Sequence, residues 1–115
     1  MEEGISIDYK SLKKILDTAG KLKSEGLRDL AVTSVAFANV HGGKIVIGIE
    51  DKDKQPPLDQ IISVKTANET VTRLKSLCFN VGFQLGEIEN HTNGSQFFAI
   101  TVYPTLKSIA TTAEG

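Results

Sequence analysis

The chain has little of what secreted and membrane proteins need. It has one cysteine, Cys78, no tryptophan, and no apolar run long enough to cross a bilayer. A single cysteine leaves no intramolecular disulfide to form, which is typical of proteins from a reducing compartment. Residues 1–4 are acidic and have no apolar segment, so they do not resemble a signal peptide. We therefore expect a cytoplasmic protein without a membrane segment.

An excess of positive charge is also missing. The 13 basic and 14 acidic residues give a formal net charge of −1, whereas nucleic-acid-binding domains are usually basic overall. The chain also lacks Cys-x-x-Cys, His-Glu-x-x-His, P-loop and Gly-x-Ser-x-Gly patterns. The strongest signatures of zinc sites, nucleotide sites and serine nucleophiles are therefore absent. Composition excludes a uniformly cationic surface and favours no enzyme class.

The centre of the chain, residues 36–51, predicts the end of a helix, a tight turn and a buried strand. Apolar and small residues recur at three- and four-residue spacing from Leu27 to Ala38, which predicts a helix from about Leu27 to Asn39. Gly42-Gly43 supplies the positive φ values that end a helix and reverse the chain. The β-branched run Lys44–Ile49 then predicts a central strand.

The segment before this unit predicts a strand and a short helix. Residues 5–10 alternate apolar and polar side chains, as a half-buried strand does. Ser11 is a suitable cap for a short helix that follows it. Gly20 and Gly26 enclose a polar, lysine-rich stretch, which we interpret as a mobile loop.

The segment after the central strand predicts a second helix and a hairpin. The capping pattern Thr66–Glu69 precedes a second helix over about Ala67–Asn80. Residues 83–89 and 96–103 alternate on either side of Asn93-Gly94, a strong hairpin signal. We therefore expect one α+β domain over 1–115, with a small mixed sheet of about four strands and two main helices packed on it.

Several of these motifs together resemble one family. Ala36–Asn39, Gly42-Gly43 and Gly48–Asp51 resemble the signature of the Schlafen-type, divergent Alba-like DNA-binding domain. Ile7–Lys10 resembles an upstream strand of that family, and Pro56–Gln60 resembles a segment found in one subgroup. The resemblance implies a Schlafen/Alba-like fold at the N-terminus of a longer bacterial regulator or ATP-binding protein.

The resemblance also implies nucleic-acid binding, to DNA more than to RNA. The candidate contacts are the basic strip, the Gly-Gly turn and their neighbours: Lys10, Lys13, Lys14, Arg28, Asn39, His41, Gly42, Gly43, Lys44 and Lys107. Cations would hold phosphates, and glycines would let a phosphate backbone approach. The same residues also fit a solvated helical face, a helix C-terminal histidine and an ordinary helix-ending turn.

Two alternative functions stay open at this point. Some Schlafen-type domains cleave RNA with three carboxylates, which by motif position would be Glu3, Asp8 and either Glu50 or Asp51. Such a cluster would hold Mg²⁺ or Mn²⁺, whereas we expect no cofactor for a binding module. Acidic residues at strand ends are also common as solvated turn residues. The other alternative is an interaction domain that forms a homodimer through exposed strand edges.

Overall fold

The computed structural model describes residues 6–105 and 110–112. A 3₁₀ helix spans Leu12–Lys14, and the two α-helices are α1 (Ser24–Ala38) and α2 (Val64–Leu77). The strands are β1 (Ser6–Lys10), β2 (Gly43–Ile47), β3 (Cys78–Phe79), β4 (Gly82–Leu85), β5 (Glu89–Asn90), β6 (Gln96–Tyr103) and β7 (Thr111–Thr112). The described residues therefore form the α+β architecture that the sequence predicts.

The main sheet has five strands and mixed pairing. Its order is β1-β2-β6-β4, with β5 also paired to β6. The β1–β2 pair is parallel, and β6 is antiparallel to β2, β4 and β5. The short strands β3 and β7 form a separate antiparallel pair. The expected small mixed sheet is confirmed, with one strand more than the approximate count.

Both α-helices pack on the same face of the main sheet. Side chains alternate along each strand, so Ile45 and Ile47 of β2 and Phe98 and Ile100 of β6 point towards the helices, where all four are fully buried. The helices contribute their own apolar stripes: Leu27, Leu30, Ala31 and Ala38 from α1, and Ala67, Val71 and Leu74 from α2. The predicted buried face of α1 is therefore confirmed.

The start of α1 differs from the prediction. The helix begins at Ser24, so Gly26 lies in its first turn and does not end a loop. A Cβ on Gly26 would clash with the carbonyl oxygen of Lys14. Glycine here lets α1 lie directly against the 3₁₀ helix. The predicted loop boundary at Gly26 was wrong because glycine served close packing and not chain flexibility.

The start of α2 also differs. Ser63, three residues before the predicted cap, accepts the Thr66 N–H at 3.1 Å through its hydroxyl oxygen. Thr66 is already helical, and its carbonyl oxygen accepts the Thr70 hydroxyl at 2.8 Å. The helix ends at Leu77, because Cys78 adopts an extended conformation and begins β3. Among the described residues, no helix combines the length and the apolar character that crossing a bilayer requires.

The predicted hairpin is confirmed between β5 and β6. The His91 N–H donates to the carbonyl oxygen of Ser95, and the Gly94 N–H donates to that of His91, both at 2.8 Å. Gly94 has a φ of +87°, a value that glycine adopts without strain. The loop is therefore a three-residue turn that ends in a left-handed glycine.

Candidate nucleic-acid interface

Lys10, one of the sequence-predicted contacts, is engaged within the protein. Its ammonium group lies 2.8 Å from Asp29 Oδ2 on α1 and 3.3 Å from Asp8 Oδ2 on β1, and its side chain is only 15% exposed. Burial lowers the pKa of Lys10, but the hydrogen bonds and charges of the two carboxylates outweigh burial and leave the pKa raised. Lys10 is therefore a charged link between β1 and α1.

The Gly42-Gly43 turn is buried by the protein itself. Gly42 has a φ of +79°, and its N–H donates to the carbonyl oxygen of Phe37 at 2.7 Å, which ends α1. A Cβ on Gly42 would stand 2.6 Å from the carbonyl oxygen of Val102, and one on Gly43 would stand 2.6 Å from that of Ser6. Packing accounts for both glycines, and the predicted approach of a phosphate draws no support from them.

Asn39 ties the end of α1 to the C-terminal segment. Its Nδ2 donates to the carbonyl oxygen of Ala110 at 3.1 Å, and its Oδ1 accepts the Ala110 N–H at 2.9 Å. This reciprocal pair uses the amide as a strand residue uses its backbone. The side chain that the sequence nominated as a phosphate donor therefore holds β7 near α1.

Three further predicted contacts lie apart from one another or outside the described residues. Lys44 is exposed and pairs in register with Ile7 and Thr101, which places it on the sheet face away from the helices. His41 is exposed in the turn after α1. Lys107 lies outside the described residues. Neither Lys44 nor His41 lines a cleft described below.

The other three predicted cations, Lys13, Lys14 and Arg28, line different cavities. Arg28 lies beside a small cavity of about 110 Å³ at the α1–β7 contact. Lys14 lines a cavity of about 220 Å³ together with Lys10, Lys23, Glu25 and Asp29, so two carboxylates lie among three lysines there. Lys13 lines a different cleft, of about 660 Å³.

The carboxylates expected for a nuclease are engaged separately. Asp8 pairs with Lys10, and Asp51 Oδ1 accepts a hydrogen bond from Lys54 Nζ at 2.6 Å. That bond is the main cause that lowers the pKa of Asp51. Glu3 lies outside the described residues, and within 6–105 and 110–112 no group of three His, Cys, Asp or Glu side chains could hold a metal ion. The nuclease alternative therefore draws no support from this part of the chain.

Five cationic side chains gather around the turn that joins the 3₁₀ helix to α1. We call this set the basic surface, and it consists of Lys13, Lys21, Lys23, Lys65 and Arg73. The two clefts that these residues line contain two carboxylates, those of Asp17 and Glu69, and Lys23 also borders the small cavity that holds Glu25 and Asp29. None of the five cations forms an ion pair with a described carboxylate. The basic surface is therefore locally positive although the chain as a whole is not.

The turn at the middle of the basic surface is held by one carboxylate. Asp17 Oδ1 accepts the N–H groups of Ala19 at 2.8 Å and Lys21 at 2.9 Å. Gly20, with a φ of +82°, donates its N–H to the carbonyl oxygen of Asp17 at 3.0 Å. The hydrogen bond from the Lys21 amide is the largest cause that lowers the pKa of Asp17. Of the stretch between Gly20 and Gly26 that we interpreted as a mobile loop, the start therefore belongs to a hydrogen-bonded turn and the end belongs to α1.

The larger cleft lies between this turn and α2 and has a volume of about 850 Å³. Residues 20–22 form one wall. The other wall is a polar stripe of α2 that consists of Lys65, Asn68, Glu69, Thr72 and Arg73. These residues recur at three- and four-residue spacing, as one face of a helix does. The buried stripe of the same helix packs on the sheet, so the fold turns the polar stripe towards the cleft.

The smaller cleft is lined in part by Asp17 and Thr18 of the turn and has a volume of about 660 Å³. The half-buried side chains of Leu12 and Leu16 give it an apolar part, and Lys13 and Lys23 stand beside them. The Lys23 ammonium donates to the carbonyl oxygen of Lys13 at 3.1 Å. This bond keeps the two lysines together.

Gln60, which also lines the smaller cleft, fixes the loop that follows β2. Its Nε2 donates to the carbonyl oxygens of Gly48 at 2.8 Å and Gln96 at 2.9 Å. Farther along this loop, the Glu50 N–H donates to the carbonyl oxygen of Gln55 at 3.0 Å and closes a turn. The glutamine of the Pro56–Gln60 motif is therefore a structural clamp.

Sequence reasoning found part of the basic surface. The sequence nominated Lys13, and it placed Lys21 and Lys23 in the lysine-rich stretch between Gly20 and Gly26 without marking them as contacts. Lys65 and Arg73 were missed because they lie on α2, far along the chain from the N-terminal lysines. The signal that could have found them is the polar stripe of α2, although the sequence does not show which turn the stripe faces.

The fold and the basic surface define a class of protein: a two-layer α+β domain with a cationic surface of the kind that binds polyanions. The family model described as Schlafen, AlbA_2 matches residues 3–113, and the chain belongs to this family. The search of curated proteins found no significant match. Family membership confirms the resemblance drawn from Ala36–Asn39 and Gly48–Asp51 and supports a nucleic-acid-binding domain.

Proposed function

We propose that this domain binds nucleic acid through the basic surface. The observation that carries the proposal is the gathering of five cations, none in an ion pair with a described carboxylate, in a chain with a net charge of −1. When lysine and arginine side chains neutralise phosphates, the counterions condensed on the nucleic acid are released into solution, which favours association. Membership of the Schlafen AlbA_2 family supports the same function.

The proposal includes several finer expectations that rest on the family resemblance. DNA is the expected ligand in preference to RNA, and the domain is expected to serve a cytoplasmic transcriptional regulator as one part of a longer chain. Cys78, buried and free, fits a reducing compartment, and burial raises the pKa of its thiol. Self-association through the exposed edge of β1 is the remaining expectation.

A salt titration tests the proposal directly. Fluorescence anisotropy of labelled duplex DNA, single-stranded DNA and hairpin RNA is measured against the protein at low and at physiological salt. Binding through several phosphate contacts weakens steeply, with log K falling by roughly 0.7 to 0.9 per contact for each unit of log salt concentration. A shallow salt response, or no binding of any of the three at low salt, would contradict the proposal.

A matched pair of variants locates the surface. Lys23→Ala removes a cation from the basic surface, and Lys52→Ala removes one from the loop after β2, where Lys52 is exposed and lines neither cleft. The net charge of the two variants is the same. We expect Lys23→Ala to weaken binding and reduce the salt slope by about 1, and Lys52→Ala to leave both unchanged. Equal effects would place the contact elsewhere.

A further inference from the structure

We infer that the larger cleft receives one unstacked nucleotide of a single strand, so that the domain prefers single-stranded nucleic acid to a duplex. This inference rests on the proposed function and names the ligand form that the basic surface takes. The cleft volume of about 850 Å³ lies within the roughly 300–1,000 Å³ that is typical of small-molecule sites. A nucleotide is a ligand of that class.

The cations of the cleft suit the phosphate of such a nucleotide. Lys21 stands on the turn, and Lys65 and Arg73 stand two helical turns apart on α2. Glu69 is the one carboxylate among the lining residues, which leaves an excess of positive charge. Arginine offers a planar fork to two phosphate oxygens, and lysine adds a compact charge.

The uncharged part of the cleft suits a base. Asn68 and Thr72 lie between the two α2 cations, and neither side chain forms a hydrogen bond with a described residue. An amide offers both a donor and an acceptor, and a hydroxyl does the same, so the pair can bond the edge of a base. Leu22 on the opposite wall provides apolar surface against which the face of a base can lie.

The concave shape favours a single strand. In a duplex the bases are stacked, and proteins read their edges with a helix or ribbon that protrudes into a groove. Here the polar stripe of α2 forms one wall of a recess, and the turn at residues 20–22 forms the other wall. A base that is splayed out of a single strand can enter a recess, as in most sequence-specific RNA recognition. A paired base would first have to be unstacked.

The wall that would receive the base is already ordered. Asp17 accepts two backbone N–H groups of the turn, and Leu16 pairs with Leu22 in an antiparallel bridge. A ligand therefore does not have to bear the entropy cost of ordering this turn, which favours binding. The hydrogen bonds run within the turn and leave the Lys21 ammonium without a hydrogen-bond partner among the described residues.

The test compares one strand in two forms. Anisotropy is measured with a labelled single strand of about ten nucleotides, in DNA and in RNA, and with the blunt duplex of the same sequence. We expect the single strand to bind at least about tenfold more tightly, because unstacking a base costs a few kcal/mol. The DNA and RNA strands show which sugar the site accepts. Equal binding of strand and duplex would overturn the inference and leave the proposed function standing.

Two variants separate the cleft from the rest of the basic surface. Asn68→Ala and the isosteric Thr72→Val keep every charge, and we expect each to weaken single-strand binding by about threefold to tenfold, the loss of one hydrogen bond. Duplex binding should not change. Lys75→Ala on the same helix lies outside the cleft lining and serves as the control. Unchanged single-strand binding by both cleft variants would overturn the inference.

A mononucleotide gives a second readout. In ¹H–¹⁵N spectra, adenosine or uridine 5′-monophosphate should shift the amide signals of Leu22, Asn68 and Thr72. These shifts should be larger than the shifts of the residues that line the smaller cleft. Inorganic phosphate should shift Lys21 and Lys65 but not Thr72. Shifts from the nucleotide that match those from phosphate would show a phosphate site without a base site, which would contradict the inference. If no nucleic acid binds at low salt, both proposals fall together.

Discussion

At the scale of the residue, the family signature serves the fold. Asn39 uses its amide to hold Ala110, Gly42 lies against Val102, and Gln60 bridges two strand ends. Motif residues attract functional interpretation because of their polarity or their glycine content. In this domain the contacts of these residues are made within the protein, and the candidate binding residues are unremarkable lysines and an arginine elsewhere.

Gln60→Ala tests the structural role of one such residue. The change leaves the carbonyl oxygens of Gly48 and Gln96 without the Gln60 donor. We expect the free energy of unfolding in urea to fall by about 1–3 kcal/mol, which is the usual cost of leaving a part-buried polar group unsatisfied. Gln55→Ala in the same loop, where the side chain is exposed, should have little effect. Equal stability of both variants would show that Gln60 is not a clamp.

At the scale of the element, close packing decided where α1 begins. Helix propensity treats Gly26 as a breaker, whereas the structure places it inside the first turn against Lys14. A polar, lysine-rich composition likewise suggested a mobile loop where Asp17 organises a turn. The first error arose because Gly26 contacts another segment, and the second because one side chain organises its own turn, neither of which local composition reports.

Gly26→Ala distinguishes packing from propensity. Propensity alone predicts that alanine stabilises a helix interior by about 0.5–1 kcal/mol relative to glycine. Because a Cβ here would clash with the backbone of Lys14, we expect the free energy of unfolding to fall by about 1–3 kcal/mol instead. Glu25→Ala, next to it and exposed, is the control. A more stable Gly26→Ala protein would contradict the contact between α1 and the 3₁₀ helix.

The turn at Asp17 should respond to acid. Because hydrogen bonds lower the folded-state pKa of Asp17, its ionised form stabilises the turn at neutral pH, and this stabilisation is lost as the pH falls through that pKa. NMR titration should give a pKa for the Asp17 carboxyl below its usual range, and the protection of the Ala19 and Lys21 amides from hydrogen exchange, relative to an unstructured chain at the same pH, should decrease in acid. Asp17→Asn should reduce this pH dependence. An ordinary pKa would contradict the hydrogen-bonded turn.

At the scale of the whole molecule, fold and site differ in how far sequence predicts them. The strand around Ile45–Ile47 and the buried face of α1 were predictable because alternation and helical periodicity report burial directly. The basic surface was only partly predictable. Lys23 and Arg73 are far apart along the chain, and they share one surface only because α2 packs beside the turn. Sequence patterns describe faces of elements, whereas the choice of neighbouring faces depends on packing.

The net charge of the whole chain does not describe the local charge of the basic surface. Acidic residues such as Asp8, Asp29 and Asp51 are paired with Lys10 and Lys54, which are not members of the basic surface. At physiological salt, charges farther apart than about 8 Å are largely screened. A ligand at the basic surface therefore meets the local excess of positive charge and not the total of −1.

The most direct measurement compares two proteins of identical net charge. Lys23→Glu/Arg73→Glu reverses two charges of the basic surface, and Lys44→Glu/Lys75→Glu reverses two exposed charges that line neither cleft. Anisotropy with a labelled single strand at physiological salt gives both affinities. We expect the first protein to bind on the order of tenfold more weakly than wild type, or worse, and the second to bind within about twofold of wild type. Equal losses in the two proteins would contradict this prediction.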